Sequence, residues 1–171
     1  TITPGPNIVG DWAAIVHFTA TGTNCCEYGS RIPGVWFWPG TRKILVVDGH
    51  GANGNSHTGE WGCDDDVLTI DEGAEATLTM MMKADVVNIY VDGNWACDAP
   101  RADRQVWDTT QVWAADPWYG AADATISGLY IAPLGYVECD GENMSLDWTG
   151  GFHESGHNVF DNTNRIHNAN D

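Results

Sequence analysis

The sequence predicts an all-β protein, an antiparallel β-sandwich built from two packed sheets. Three observations indicate this fold: short runs alternate apolar and polar residues, glycine-containing turns separate them, and no window keeps a helical period over three turns. Short turns between successive strands favour antiparallel pairing, and two packed sheets allow each strand to bury its apolar face. We expect the 171 residues to form a single domain, 1–171.

Eight segments carry the strand pattern. They are residues 12–18, 32–38, 43–47, 76–82, 86–91, 106–114, 124–131 and 144–148. In the first segment, strict alternation places Val16 on the face of Trp12 and His17 on the other face. The Pro-Gly-Thr-Arg segment 39–42 and the Asp-Gly pair 92–93 predict turns between neighbouring strands.

The charge balance excludes several classes of partner. Acidic residues number 24 and basic residues 7, which gives a formal net charge of −17. Such a chain lacks the Lys and Arg that neutralise phosphates, so we expect no binding to nucleic acid or to anionic membranes. Since no run of about 18 apolar residues is present, no membrane insertion is expected either. Most of the acidic residues are expected to lie on a solvated surface, and clustered ones are candidates for Ca²⁺ ligands.

The cysteines predict disulfide bonds and an extracellular or cell-surface location. The chain has five cysteines, Cys25, Cys26, Cys63, Cys97 and Cys139. They are too widely spread in the sequence for a zinc site. An extracellular chain with one or two disulfides fits this pattern. We expect Cys63 to pair with Cys25 or Cys26, and the odd count leaves one thiol free or bonded to another chain. Asn143 begins a glycosylation sequon.

Five short motifs occur in an order typical of one family. They are GSRIP at 29–33, Trp36, PGT at 39–41, IYVDG at 89–93 and DPWY at 116–119. The series resembles laminin G-like domains of the concanavalin A-like jelly-roll group over roughly 8–131, within the segment 1–133. The remaining segment, 134–171, is predicted to close the fold and to end as an Asn-, His- and Gly-rich loop. The resemblance implies a jelly-roll sandwich that binds glycans or proteins outside the cell, often at a Ca²⁺-dependent rim site.

Two loops are the main candidates for calcium. Carboxylate and amide oxygens are the ligands that Ca²⁺ prefers, and glycines let a loop fold around the ion. The first loop is DGHGANGN, with Asp48, Asn53 and Asn55, and the second is ECDGEN, with Asp140 and Glu142. An Asp triplet at 64–66 is a third possibility. For each loop, an ordinary polar turn is the competing interpretation.

The nine tryptophans suggest a site for sugar stacking, because exposed aromatic rings pack against pyranose faces. Those within predicted strands are expected in the core; they are Trp12, Trp36, Trp107 and Trp113. Trp38, Trp61 and Trp95 lie at strand ends or turns and are the candidate ligand-binding residues. Trp61 is expected to act together with Asn53, with a glycan held between the ring and the loop.

No catalytic site is predicted. Relatives of this fold that hydrolyse β-glucans carry Glu-x-Asp-x-x-Glu, but in TIDEGAE at 69–75 a threonine replaces the first Glu and Gly73 interrupts the strand. The H-E-x-x-H outline at 153–157 lies among glycines that disfavour a helix, so zinc is only a minor alternative. No Gly-x-Ser-x-Gly elbow is present.

We therefore expect a non-catalytic, extracellular β-sandwich that recognises a glycan or glycoprotein with Ca²⁺, for adhesion or matrix assembly. The alternative is a structural protein–protein interaction module that self-associates or forms an inter-chain disulfide. A polysaccharide-cleaving enzyme is the third possibility, and the missing carboxylate pair counts against it.

Overall fold

The computed structural model describes residues 1–24, 27–49, 54–83, 86–100, 107 and 109–131. The chain divides into two compact units, Thr1–Gly128 and Leu129–Asp171, and all the described strands lie in the first. Because most of the second unit falls outside the described residues, the single-domain prediction, the strand at 144–148 and the loop at 134–171 stay predictions.

The described residues form eleven strands and one short helix. In chain order they are β1 (Ile2–Pro4), β2 (Ala13–Thr19), β3 (Gly34–Phe37), β4 (Ile44–Gly49), β5 (Asn55–His57), α1 (Asp65–Leu68), β6 (Leu78–Met82), β7 (Val86–Val91), β8 (Asn94–Pro100), β9 (Gln111–Ala114), β10 (Gly120–Ala121) and β11 (Ala124–Ile126). The prediction of an all-β protein is confirmed.

Three sheets are present among these strands. The main sheet has the order β10-β2-β3-β4-β5, with β9 also paired to β2; its pairs are antiparallel except for the parallel pair β10–β2. The second sheet is the antiparallel meander β6-β7-β8. Strands β1 and β11 form a separate antiparallel pair.

The predicted hairpin across 39–42 and the predicted Asp-Gly turn at 92–93 are both confirmed, because local turn chemistry specifies them. Strands β3 and β4 pair across the segment 39–42, with Trp36 opposite Leu45. Strands β7 and β8 pair across Asp92 and Gly93, whose φ angles of 50° and 75° are both positive. A two-residue turn with positive φ at both positions matches the twist of the flanking strands, which explains the Asp-Gly sequence.

The main sheet and the second sheet share one apolar core. The main sheet contributes one face of β2, β3 and β4, with Val35, Phe37, Ile44 and Val46 among its buried residues, and β7 contributes Val87, Ile89 and Val91. Burial of both sheets against a common core gives a sandwich-like arrangement, which supports the coarse fold prediction.

Some strand limits differ from the sequence pattern. The predicted strand 124–131 ends at Ile126, because the backbone turns at Gly128 with a positive φ of 57°. The predicted strand 106–114 is a strand over Gln111–Ala114 within its described part, and Trp113, expected in the core, is 40% exposed there. Strands β1, β5 and β8 were not predicted, since β5 has no apolar residue and β1 is only three residues long.

The Asp triplet at 64–66 starts the short helix α1. The side chain of Asp64 accepts hydrogen bonds from the backbone amides of Asp66 (3.0 Å) and Val67 (3.4 Å), as an N-cap residue does. Asp65 pairs with the ammonium of Lys43 at 2.5 Å. The acidic run is thus explained by helix capping and by an ion pair to the main sheet.

One disulfide is present among the described cysteines, and it corrects the predicted pairing. Cys63 bonds to Cys97, 34 residues later, with Cα atoms 4.7 Å apart. The expectation that Cys63 pairs with Cys25 or Cys26 is therefore wrong. The pairing depends on which segments meet in the fold: Cys97 is buried in β8, and the backbone amide of Asp64, next to Cys63, donates to the carbonyl of Ala96, next to Cys97. Cys25, Cys26 and Cys139 lie outside the described residues.

Candidate functional site

The main sheet has a second apolar face, opposite the shared core. Ala14, Trp36, Leu45 and Val47 form a separate buried cluster there, and Trp12, Trp38, Ala115 and Tyr119 pack against it. We call this surface the aromatic face. It contains a cavity of about 310 Å³, here called the aromatic cavity, lined by Trp12, Arg31, Trp36, Trp38, Leu45, Val47, Asn55, His57 and Tyr119.

The aromatic rings of this face form two groups of contacting rings. The ring centroids of Trp12 and Trp38 are 5.1 Å apart, and the His57 ring meets Trp38 edge-on at 5.7 Å. The ring of Trp36 meets Tyr119 edge-on at 6.0 Å. These separations lie in the range of favourable aromatic pairs, so the rings hold one another in place.

Gly34 creates the space that the Trp36 ring occupies. The two residues are two positions apart in β3 and so share a face of the sheet. A Cβ at position 34 would lie 2.0 Å from Cη2 of Trp36, a distance that real atoms cannot adopt. Glycine is therefore required if the indole is to lie flat along its own strand.

Arg31 is the positively charged residue of the aromatic cavity. Its guanidinium carbon lies 4.8 Å from the centroid of the Trp36 ring, which is a cation–π contact. One terminal nitrogen, Nη2, donates to the side-chain oxygen of Asn24 at 2.9 Å. The side chain is held in place although only 7% of the residue is exposed. Burial lowers the pKa of Arg31, an effect that Tyr119 and Asp116 partly offset.

A buried His17–Asp116 pair lies behind the Trp36 ring. Both side chains are fully buried, with 3.2 Å between His17 Nδ1 and Asp116 Oδ2. The other ring nitrogen, Nε2, lies 2.7 Å from the carbonyl oxygen of Ser30. A carbonyl oxygen and an ionised carboxylate can only accept hydrogen bonds. Both ring nitrogens of His17 therefore face buried acceptors.

Asp116 also organises the turn that presents Tyr119 to the aromatic cavity. Its Oδ1 accepts hydrogen bonds from the backbone amides of Trp118 at 3.0 Å and Tyr119 at 2.9 Å. Burial alone would raise the pKa of Asp116, but the hydrogen bonds from His17 and from these two amides outweigh it and lower the pKa. The carboxylate is therefore ionised and fixes the DPWY segment.

Several polar atoms around the aromatic cavity are buried without a hydrogen-bond partner. Within the described part of the chain they include Arg31 Nε, Trp36 Nε1, Trp38 Nε1 and His57 Nδ1. A buried polar group without a partner costs about 1–3 kcal/mol. Four such atoms on residues that line one cavity indicate that their hydrogen-bond partners come from a group other than the described residues.

The predicted calcium ligands that are described do not converge. Asp48 lies in β4 opposite Ser56, and Asn55 lies in β5 opposite Gly49. Paired residues share a face and successive residues alternate, so the side chains of Asp48 and Asn55 leave the sheet on opposite sides. Asp48 is buried, whereas Asn55 lines the aromatic cavity. Among the described residues, no group of three or more His, Cys, Asp or Glu is arranged to hold a metal ion.

The predicted tryptophans of the binding site lie in three different places. Trp38 lines the aromatic cavity, whereas Trp61 packs against the shared core. Trp95 is 56% exposed on the second sheet, where its Nε1 donates to Asp98 at 3.0 Å and helps to lower the pKa of that carboxyl. The remaining predicted site residues, Asn53, Asp140, Glu142 and Asn143, fall outside the described residues.

Sequence reasoning did not select Arg31, His57 or Tyr119. Trp36 was expected to be a core residue, and it is buried, but in the cluster of the aromatic face. The spacing of Trp36 and Trp38, two residues apart in a strand, was the available signal, because such residues share a face.

The comparisons with known proteins find no relative of this chain. No family model matches the chain, and neither the curated proteins nor the solved structures contain a significant match. The laminin G-like resemblance therefore rests on its motifs alone. Within the part of the chain that the structure describes, no helix has the length and apolar content needed to span a membrane.

Proposed function

We propose that the protein is a non-catalytic glycan-binding module and that the aromatic cavity is its binding site. The observation that carries the proposal is the array of Trp12, Trp36, Trp38 and Tyr119 around one cavity. The C–H faces of a sugar ring are apolar and pack well on aromatic rings, which lose little conformational entropy on binding.

The size and polar groups of the aromatic cavity also suit a sugar. A volume of about 310 Å³ is at the small end of ligand pockets, which favours a short segment of one or two rings. His57 Nε2 lies 3.4 Å from a carboxylate oxygen of Glu60. A proton on Nε2 leaves Nδ1 to accept a hydrogen bond from a sugar hydroxyl.

Binding without cleavage fits the lining of the cavity. Glycosidases of the common type use two carboxyl groups on either side of the scissile bond. The described residues that line the aromatic cavity include no Asp or Glu. His17, whose ring contacts Trp36, is buried, and both of its ring nitrogens lie within hydrogen-bond distance of protein acceptors.

The disulfide supports placing this function outside the cell, because such bonds persist in oxidising compartments. A role in adhesion or matrix assembly follows from a glycan or glycoprotein ligand. Calcium dependence is part of the proposal only through the loop between Asp48 and Asn55, which the laminin G-like resemblance suggests as a rim site.

The alternative function is a structural interaction module. In that case the aromatic face would be covered by a protein surface, from a partner or from a second copy of the chain, rather than by a sugar. Aromatic residues are also enriched in protein interfaces, so the two functions must be separated by experiment.

The test is a glycan array, with and without EGTA, followed by calorimetry on the best ligand. Trp38→Ala is expected to weaken binding at least tenfold, because it removes a ring from the array. Trp95→Ala, which removes an exposed tryptophan outside the cavity, is the matched control and should leave affinity unchanged. Absence of any glycan ligand, together with concentration-dependent dimerisation that Trp38→Ala abolishes, would instead establish the structural alternative.

A further inference from the structure

The basic residues next to β3 and β4 differ in whether they have a carboxylate partner. Arg42 pairs with Glu72 at 2.9 Å, and Lys43 pairs with Asp65 at 2.5 Å. None of the described carboxylates lies within 4.0 Å of a nitrogen of Arg31. A buried arginine is usually paired with a carboxylate, and the chain has 24 acidic residues, so the lack of such a partner among the described residues is unusual.

Three buried polar atoms on residues that line the aromatic cavity are donors only. Arg31 Nε, Trp36 Nε1 and Trp38 Nε1 can only donate, and each is buried without a partner. A neutral hydroxyl that accepts one of these bonds brings its own proton, for which His57 Nδ1 is an acceptor. A carboxylate brings only acceptor positions, and its charge matches the planar donor fork of arginine.

We infer that the aromatic cavity recognises an acidic sugar, a glycan residue bearing a carboxylate that Arg31 binds while the tryptophan rings stack on the sugar. This inference rests on the proposed glycan-binding function and names the class of ligand. Arg31 is fixed beforehand by its contacts to Trp36 and Asn24, so little side-chain entropy is lost when the carboxylate binds.

The net charge of the chain restricts which acidic glycans fit. A formal charge of −17 repels a densely charged polymer, and this repulsion extends over about a Debye length. The guanidinium of Arg31, which has none of the described carboxylates within 4.0 Å, attracts one carboxylate at short range. The expected ligand is therefore a uronic acid residue within a largely neutral chain, rather than a heavily sulfated polyanion.

The buried donors must become accessible when the ligand binds. Trp12 and Trp38 are only partly buried, and changes of side-chain rotamer at binding surfaces are common. The indole N–H groups of Trp36 and Trp38 then report binding directly, because each gains a hydrogen bond.

The experiment compares pairs of oligosaccharides that differ only at the carboxyl group. A panel of uronic-acid-containing oligosaccharides is titrated beside the same compounds after reduction of the carboxyl group to an alcohol. We expect at least a tenfold loss of affinity on reduction for the best ligand, and shifts of the indole N–H signals in NMR spectra with the acidic form. Arg31→Met should remove the preference for the acidic form, and Arg31→Lys should restore only part of it. Arg42→Gln, at an arginine outside the cavity, is the control, and thermal unfolding of each variant checks that it folds.

Each outcome has a defined meaning. Equal affinity for the acidic and reduced forms would overturn the inference and leave the glycan-binding function standing. Retention of the acidic preference in a folded Arg31→Met variant would overturn it as well. Tighter binding to a sulfated oligosaccharide that is independent of Arg31 would do the same. Absence of binding to every sugar, acidic or neutral, would remove both the inference and the proposed function.

Discussion

Removal of the Asp116 carboxylate is expected to destabilise the protein strongly, because it is the buried acceptor for His17 and for two backbone amides. Asp116→Ala deletes the partner of His17 Nδ1 and the acceptor of two backbone amides. Asp116→Asn keeps an acceptor oxygen for the amides but removes the charge. The two substitutions therefore separate the ion pair from the turn.

The structure sets the expected magnitudes. Both side chains of the pair are fully buried, and each buried donor left without an acceptor costs about 1–3 kcal/mol. Asp116→Ala removes the acceptor of His17 Nδ1 and of two backbone amides, so it should cost about 3 kcal/mol or more. Asp116→Asn should cost less, about 1–3 kcal/mol, because the neutral amide still accepts hydrogen bonds. Asp71→Asn, an exposed carboxylate on the surface, is the control and should change stability by less than about 0.5 kcal/mol.

The assay is urea unfolding of each variant at neutral pH and at lower pH. The folded-state pKa of Asp116 is lowered, so its contribution to stability is present above the unfolded-state value of about 3.9 and is lost as the pH falls through the folded-state pKa. The difference between wild type and Asp116→Asn should therefore shrink below about pH 4.

Two results would refute this reasoning. If Asp116→Ala costs no more than the Asp71→Asn control, the pair does not hold the turn. If Asp116→Asn costs as much as Asp116→Ala, the acceptor oxygen for the two backbone amides does not stabilise the turn.

Three further outcomes are expected. Replacing both Cys63 and Cys97 by serine should lower the free energy of unfolding by about 4 kcal/mol in denaturant titrations, since the bond closes a loop of 34 residues, and unchanged stability would contradict a structural role. Gly34→Ala should displace the Trp36 ring and cost about 1–3 kcal/mol. An unchanged near-UV circular dichroism spectrum would argue against a requirement for glycine beside the Trp36 ring. Calorimetric titration of the EGTA-treated protein should show saturable calcium binding that is lost in Asp48→Ala, and no heat with an intact fold would remove calcium from the proposal.

The parts of the fold that could be predicted are those that local chemistry determines. The hairpin β3–β4 follows from two apolar runs around a Pro-Gly turn, and the hairpin β7–β8 follows from Asp92 and Gly93. Short-range signals of this kind act over a few residues, so they survive in the sequence whatever the rest of the chain does. The disulfide could not be assigned in this way, because pairing depends on which distant strands meet.

The candidate site was only partly visible for the same reason. Trp38 could be selected because it ends a strand, but nothing in Asn55–His57 marks it as a strand. Pairing of this polar segment with β4 brings His57 opposite Val47 and onto the aromatic face. From the sequence, Trp61 was the stronger candidate for a binding residue. The chain turns after β5, however, and Trp61 packs, partly buried, against the shared core. Tertiary pairing therefore decides which tryptophans meet.

The bulge in β2 shows how one residue can determine the composition of a site. Register with β3 shifts between Ala14 and Val16, so Ile15 and Val16 both pack into the shared core. Strict alternation would place Val16 on the aromatic face and turn His17 towards the core. With the bulge, the next residue, His17, lies against the Trp36 ring at 5.4 Å instead. The buried contact between His17 and Asp116, and through Asp116 the position of Tyr119, thus depends on a register shift that residue alternation alone cannot reveal.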